Sequence, residues 1–275
     1  MWLEIGGSTD KGKVRSENQD AYCTIIPPVA PPGVAGVLAV ADGMGGHQGG
    51  ATASRIAIQT LVEEYTGEVP DPDATITGSS NSDRVTGAIR LGNVRVREMA
   101  SSPQLAGMGT TMTVVSLKGR TLSIGHVGDS RAYLVRDGKT VQLTRDHSWV
   151  AEQVASGYMT AEEAESDRRK SVLTRAVGIE ENVTVDQSDL DLEPGDLILL
   201  CSDGLHGRVS DLEIARVASE NSPARTAKEL VRLANAAGGQ DNITVVVGRV
   251  VDQEPTKSFV NRLMRRSDSL DVVTG

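Results

Sequence analysis

Thr113-Val114-Val115-Ser116-Leu117, Lys118-Gly119-Arg120, Thr121-Leu122-Ser123-Ile124 reads as two β-rich runs separated by three residues. So short a connection only lets the chain reverse, which makes the runs antiparallel neighbours. Residues 132–135 and 141–143 repeat the pattern around Asp137-Gly138, a dipeptide suited to the left-handed backbone of a tight hairpin. Further strands are predicted at 34–41, 183–190, 197–201 and 243–251. Helices fall between them. The clearest starts at Ser222 as N-cap with Pro223 in the first turn and Ala227, Leu230, Val231 and Ala234 on one face. Others are predicted over 51–64, 83–100 and 149–156. Because helices come in pairs, strict strand–helix alternation fails. The prediction is an α+β fold, a four-layer α-β-β-α sandwich of mainly antiparallel sheets with helices on both outer faces. Segments 27–33, 66–82 and 160–170 read as connections, and none resembles an interdomain linker. One domain over 1–251 is expected, then a polar tail over 252–275. Phe259, Val260, Leu263 and Met264 share one potential face of that tail, but a frayed end is the expectation.

Composition narrows the function. With 28 Lys plus Arg against 37 Asp plus Glu, the net charge is −9, which disfavours nonspecific binding to nucleic acid or an anionic membrane. Aromatics at 3% leave few stacking platforms for single strands. Cys23 and Cys201 each lie in an apolar run and read as small buried thiols of a reducing compartment. No signal peptide or spanning run is recognisable, so a cytoplasmic protein is expected; a monomer is the expectation for its assembly.

Three aspartates sit where apolar runs stop: Asp42 after 37–41, Asp203 after 197–202, and Asp129 after 122–128. A carboxylate at a strand end is held rigidly at the rim of the core, which suits a hard divalent cation. Asp-Gly is also an ordinary turn dipeptide, and Asp137-Gly138 is read that way. Around Asp42, however, five glycines fall in the nine residues 42–50, more than a turn needs. They let backbone approach an ion or a phosphate, and Gly43 offers a carbonyl. Arg15 lies five residues before Asp20, and a guanidinium is well shaped to hold a phosphate dianion. Asp241 stands at the entrance to the last strand.

Together these segments resemble the bacterial metal-dependent type 2C protein serine/threonine phosphatases. The matching motifs are Thr9-Asp10-Lys11-Gly12 with Val14-Arg15, Asn18-Gln19-Asp20, Asp42-Gly43-Met44-Gly45-Gly46-His47 and Gly109-Thr110-Thr111. They continue with Val127-Gly128-Asp129-Ser130-Arg131, residues 143–148, Ser202-Asp203-Gly204-Leu205 and Asp241-Asn242-Ile243-Thr244. The resemblance implies a site for two Mg²⁺ or Mn²⁺ ions, held by Asp20, Asp42, Asp203, Asp241 and the Gly43 carbonyl. A weaker third ion would lie at Asp129, helped by Asp203. Arg15 would bind the phosphate, and His47 would either touch substrate or be a helix-entry residue facing solvent. The implied reaction is hydrolysis of phosphoserine and phosphothreonine by an activated water, with phosphorylated proteins, a Ser/Thr kinase among them, as partners.

Some residues depart from the pattern. Gln19 stands where many members have Glu, so somewhat weaker metal affinity is expected. Met44 takes a position that is His in eukaryotic members. His126, His147 and His206 are read as packed or capping residues. Segment 147–177 resembles the mobile flap of the bacterial members, with Asp167-Arg168-Arg169-Lys170 as its basic stretch. The rival readings are a phosphoprotein-binding module without turnover and a phosphatase of small metabolites. A nucleotide-binding loop is set aside, because Gln48 stands where the glycine pattern needs its last Gly.

Overall fold

The computed structural model describes residues 1–46, 48–67, 80–252 and 270–274. The chain begins with β1 (Trp2–Asp10), β2 (Asp20–Ile25), β3 (Val34–Met44), α1 (Gly49–Thr66) and α2 (Asn81–Ala100). Next come β4 (Gly109–Thr110), β5 (Met112–Lys118), β6 (Thr121–Val127), β7 (Arg131–Arg136), β8 (Lys139–Gln142), α3 (Trp149–Ala155) and α4 (Ala161–Ser166). The rest is β9 (Asp186–Asp191), β10 (Leu197–Cys201), α5 (Asp203–His206), α6 (Asp211–Glu220), α7 (Pro223–Ala236), β11 (Ile243–Val251) and β12 (Leu270–Thr274).

Two antiparallel sheets result. The first has the order β1-β11-β10-β7-β8, and the second β12-β2-β3-β5-β6-β9 with β4 added to β3. The layers follow from alternation along the central strands. Val37, Ala39 and Ala41 of β3 pack with Ile58 and Leu61 of α1 and Val85 and Ile89 of α2. Their neighbours Leu38 and Val40 share a second cluster with Ile198, Leu200 and Val246 of the first sheet. On β10, Leu197, Leu199 and Cys201 join Ile214, Val217, Leu230 and Ala234 of α6 and α7. Three apolar clusters thus separate four layers, as predicted. Because both faces are covered, these strands read as continuous apolar runs. Each fully buried Leu or Ile contributes about 2 kcal/mol.

Local signals set the ends. Ser80 and Asp83 form a reciprocal capping box, so α2 begins two residues before the predicted start. Asp137 (φ 51°) and Gly138 (φ 71°) both adopt the left-handed backbone of the predicted hairpin. Both cysteines are buried.

Three expectations are corrected. The strand predicted at 183–190 forms instead over Asp186–Asp191, because Val183 and Val185 pack against the helix layer before pairing starts. Residues 160–170 contain α4, started by the Thr160–Glu163 capping box. The tail is not loose throughout: Leu270–Thr274 pairs with β2, from Leu270 opposite Ile25 to Thr274 opposite Ala21. Among the described residues β2 has no other neighbour on that side, and an open edge invites such pairing. Phe259, Val260, Leu263 and Met264 lie outside the described residues.

Topology gathers the acids. Asp20 opens β2 and Asp42 lies late in its antiparallel neighbour β3, where the two are direct register partners. Asp203 follows β10 and Asp241 precedes β11, again antiparallel neighbours. Both pairs therefore emerge at one end of the sandwich.

Candidate metal and phosphate site

Close backbone packing forms the floor of this end. A Cβ on Gly43 would lie 2.1 Å from the Gly50 carbonyl oxygen and 2.6 Å from that of Gln19, so no side chain fits. Asp42 is fixed through its backbone: its N–H donates to Thr111 Oγ1 (2.8 Å) and its carbonyl accepts from Thr111 N (2.9 Å). Asn242 ties down the loop that carries Arg15. Its Oδ1 accepts from Gln19 N (2.8 Å), and its Nδ2 donates to the carbonyls of Lys11 (3.0 Å) and Glu17 (2.9 Å).

Asp20 is 1% exposed, and its Oδ2 accepts from Ser202 Oγ (2.8 Å) and Thr244 Oγ1 (2.6 Å). Burial pushes its carboxyl up to about 6, and those hydroxyls partly counter the shift. Burial lifts Asp203 to about 8, with repulsion from Asp129, Asp241 and Asp20 adding to it. Asp129 rises to about 7 through burial and the nearby Asp146. Asp42 rises well above the usual carboxylate range through burial, then through Asp20, Asp203, Asp129 and Asp241. The five predicted acids therefore sit within each other's fields.

Arg15 reaches the same place. Its Nη2 donates to Asp241 Oδ2 at 2.6 Å while 55% of its side chain stays exposed. That bond, followed by the charges of Asp241, Asp203 and Asp42, raises the guanidinium above its ordinary value.

The donor set fits hard cations. Asp20 Oδ1 and Asp203 Oδ1 are buried without hydrogen-bond partners, a costly arrangement unless something else satisfies them. Among the described residues, no three acidic, imidazole or thiol side chains already converge as a finished ligand set. Arg15 holds Asp241, and hydroxyls hold one oxygen of Asp20.

His47 lies outside the described residues. The other histidines are structural, as read from the sequence. His126 bonds Thr113 Oγ1 and the Arg145 carbonyl, His147 Nδ1 accepts from Gly128 N, and His206 Nε2 donates to the Asp129 carbonyl. In the flap segment Arg169 is not a free charge: it pairs with Asp167 through Nε (3.0 Å) and Nη2 (2.9 Å) and lies 3.5 Å over the Trp149 ring. Sequence reasoning gives no role to Thr111, Ser202, Asn242 or Thr244, although all lie in the quoted motifs. The available signal is small polar residues at the ends of apolar strands.

A family model described as Protein phosphatase 2C matches residues 12–246. The chain is 37% identical over 254 residues to the Mycobacterium tuberculosis serine/threonine protein phosphatase PstP, covering 92% of this chain but 46% of that protein. It is 34% identical over 246 residues to the Streptococcus pneumoniae protein phosphatase PhpP, covering 89% of this chain and 96% of that one. The solved catalytic domain of a PstP in complex with two manganese ions superposes with a TM-score of 0.77 at 35% identity, covering 91% of this chain and 99% of that one.

Proposed function

The chain belongs to the protein phosphatase 2C family, and on that premise we propose that it is a phosphoprotein phosphatase that removes phosphate from phosphoserine and phosphothreonine. The observation that carries this reading is the acid cluster in which Asp20 and Asp203 each keep one buried oxygen without a partner. Asp20, Asp42, Asp203, Asp241 and the Gly43 carbonyl would hold two Mg²⁺ or Mn²⁺ ions, and Asp129 a weaker third. When bound, such ions activate water and neutralise charge on the phosphoryl group. The rest of the work belongs to the protein. Arg15 uses Nη2 on Asp241 and retains other N–H donors, on a half-exposed side chain, for the incoming dianion. Asn242 fixes the loop and so fixes where the guanidinium points. No side chain here is read as a nucleophile. Both cysteines are buried, and burial pushes the Cys201 thiol up to about 12, away from the reactive thiolate.

Residues 1–251 form the catalytic unit in this reading, and 252–275 an appendage. Among the described residues no helix is long and apolar enough to cross a membrane. In the same reading the protein works as a cytoplasmic monomer on phosphorylated proteins, a Ser/Thr kinase included. The test is a panel of phosphoserine, phosphothreonine and phosphotyrosine peptides plus sugar phosphates, assayed with Mn²⁺, with Mg²⁺ and with chelator. Metal-dependent release from the first two peptides is expected. Turnover that survives chelation, or is confined to sugar phosphates, would sink the reading.

A further inference from the structure

Among the site acids, Asp20 has one oxygen wholly committed inside the protein. Its Oδ2 accepts from two hydroxyls, each with a single hydrogen, so counting hydrogens fixes the direction of every bond behind them. Thr244 Oγ1 gives its hydrogen to Asp20 at 2.6 Å. It also lies 2.7 Å from Thr9 Oγ1, so there it must accept, and Thr9 is the donor. Thr9 Oγ1 in turn accepts from Asn18 Nδ2 at 2.8 Å. On the second branch Thr244 N–H donates to Ser202 Oγ (2.9 Å), and Ser202 donates to Asp20 (2.8 Å).

Both branches end on the same oxygen. Thr9 and Thr244 are register partners on β1 and β11, and Ser202 follows β10, so all three hydroxyls belong to the first sheet. Asp20 belongs to the second sheet. Ser202 and Thr244 are 0% exposed, so the two bonds to Asp20 are shielded from water, and chains of aligned hydrogen bonds strengthen one another.

We propose that Thr244 and Ser202, with Thr9 behind them, are positioning residues: the first sheet clamps Asp20 Oδ2 so that Oδ1 alone is presented to a divalent cation. This rests on the phosphatase reading above and adds to it the reason one carboxylate oxygen is free and the other is not. Outer partners of a metal ligand typically change affinity or activity by about 10- to 100-fold when removed.

The experiment is calorimetric titration of the whole chain with Mn²⁺ alone, alongside phosphopeptide turnover as a function of Mn²⁺. Thr244→Val keeps the shape and loses the hydroxyl, whereas Thr244→Ser keeps the hydroxyl. The Val variant should bind Mn²⁺ about 10- to 100-fold more weakly. Its half-saturating Mn²⁺ for turnover should rise in parallel, and the Ser variant should stay within about threefold of wild type. A folded Val variant that binds Mn²⁺ normally would overturn the proposal, and so would a Ser variant as defective as Val. Should Thr244→Val fail to fold, Ser202→Ala removes the other donor and carries the same expectation and the same refutation. If wild-type protein itself takes up no Mn²⁺, it is the phosphatase reading that fails.

Discussion

Strand β10 has an aspartate just before it and another just after it, and the protein treats them in opposite ways. Asp196, 3% exposed, is held by Arg136 through Nε to Oδ1 (2.7 Å) and Nη2 to Oδ2 (2.5 Å), and its Oδ2 also accepts from Glu193 N (2.7 Å). Asp203 lies beyond Cys201 at the far end of the same strand and is the same residue type. Its Oδ1, however, is buried without a partner, and it faces Asp129, Asp241 and Asp20. A buried carboxylate is tolerable when a cation and hydrogen bonds are supplied, and costly otherwise. At the Asp196 end the chain supplies its own cation. At the Asp203 end it gathers acids and provides little beyond Arg15, which suits an end completed by ions from solution.

The sharpest way to break this contrast is to neutralise each acid in turn. Asp203→Asn should lower turnover on the order of 1000-fold, the loss of several kcal/mol of charge stabilisation, while leaving metal-free melting unchanged or higher. Asp196→Asn should do the reverse. Turnover should persist, and stability should fall by about 2 kcal/mol, or roughly 4 to 8 °C in a domain of this size. Paired assays and melting curves decide the matter, and interchanged outcomes would refute the comparison.

Mn²⁺ and pH test the same end without mutation. Mn²⁺ at about 100 times its dissociation constant should stabilise the protein by about 2.7 kcal/mol, read as a higher melting temperature that chelator reverses. The sign of the pH effect follows from the raised folded values of Asp129 (about 7) and Asp203 (about 8). Unfolded, both are ionised throughout the range above about pH 6.5, so the folded state binds more protons and stability falls as pH rises. His126 and His206, both held down to about 4 by burial, oppose this only near the lower end of that range, where the unfolded imidazoles shed their remaining protons, and only weakly. Metal-free protein should therefore melt several degrees lower at about pH 8.5 than at about pH 6.5. Asp203→Asn should flatten that slope and Asp196→Asn should not.

A weaker effect is expected at Arg15, where the contrast predicts a role in binding rather than in holding the acids together. Arg15→Ala should raise the phosphopeptide KM about tenfold, the worth of a charge-assisted hydrogen bond, with Mn²⁺ affinity little changed. A large loss of Mn²⁺ affinity instead would make the Arg15–Asp241 pair part of the ion site.

Legibility in the sequence follows burial. Leu197–Cys201 and Ile243–Val251 are predicted with the bounds they have, because strands covered on both faces leave unbroken apolar runs. β9 is misplaced by the same reading because it is a largely exposed edge strand, where neither face demands apolar residues. α4 buries no residue at all, so only its capping box, Thr160 with Glu163, could reveal it. The site acids stand out at strand ends. The hydroxyls beneath Asp20 do not, because Ser202 and Thr244 lie 182 and 224 residues away along the chain and only the finished sheets bring them together.

The smallest effect sharpens what neutralisation at the Asp196 end means. Arg136 meets Asp196 with two parallel N–H bonds, a geometry that a lysine ammonium cannot reproduce although it carries the same charge. If charge alone satisfies Asp196, Arg136→Lys should melt with wild type. If the paired geometry matters, the variant should lose about 1 kcal/mol, because one charged hydrogen bond is forfeited in a partly exposed setting. The second outcome is expected, since the Arg136 side chain is 35% exposed and water already weakens the purely Coulombic part. Turnover should be the same in either case, because Asp196 lies at the opposite end of β10 from the acids that face one another.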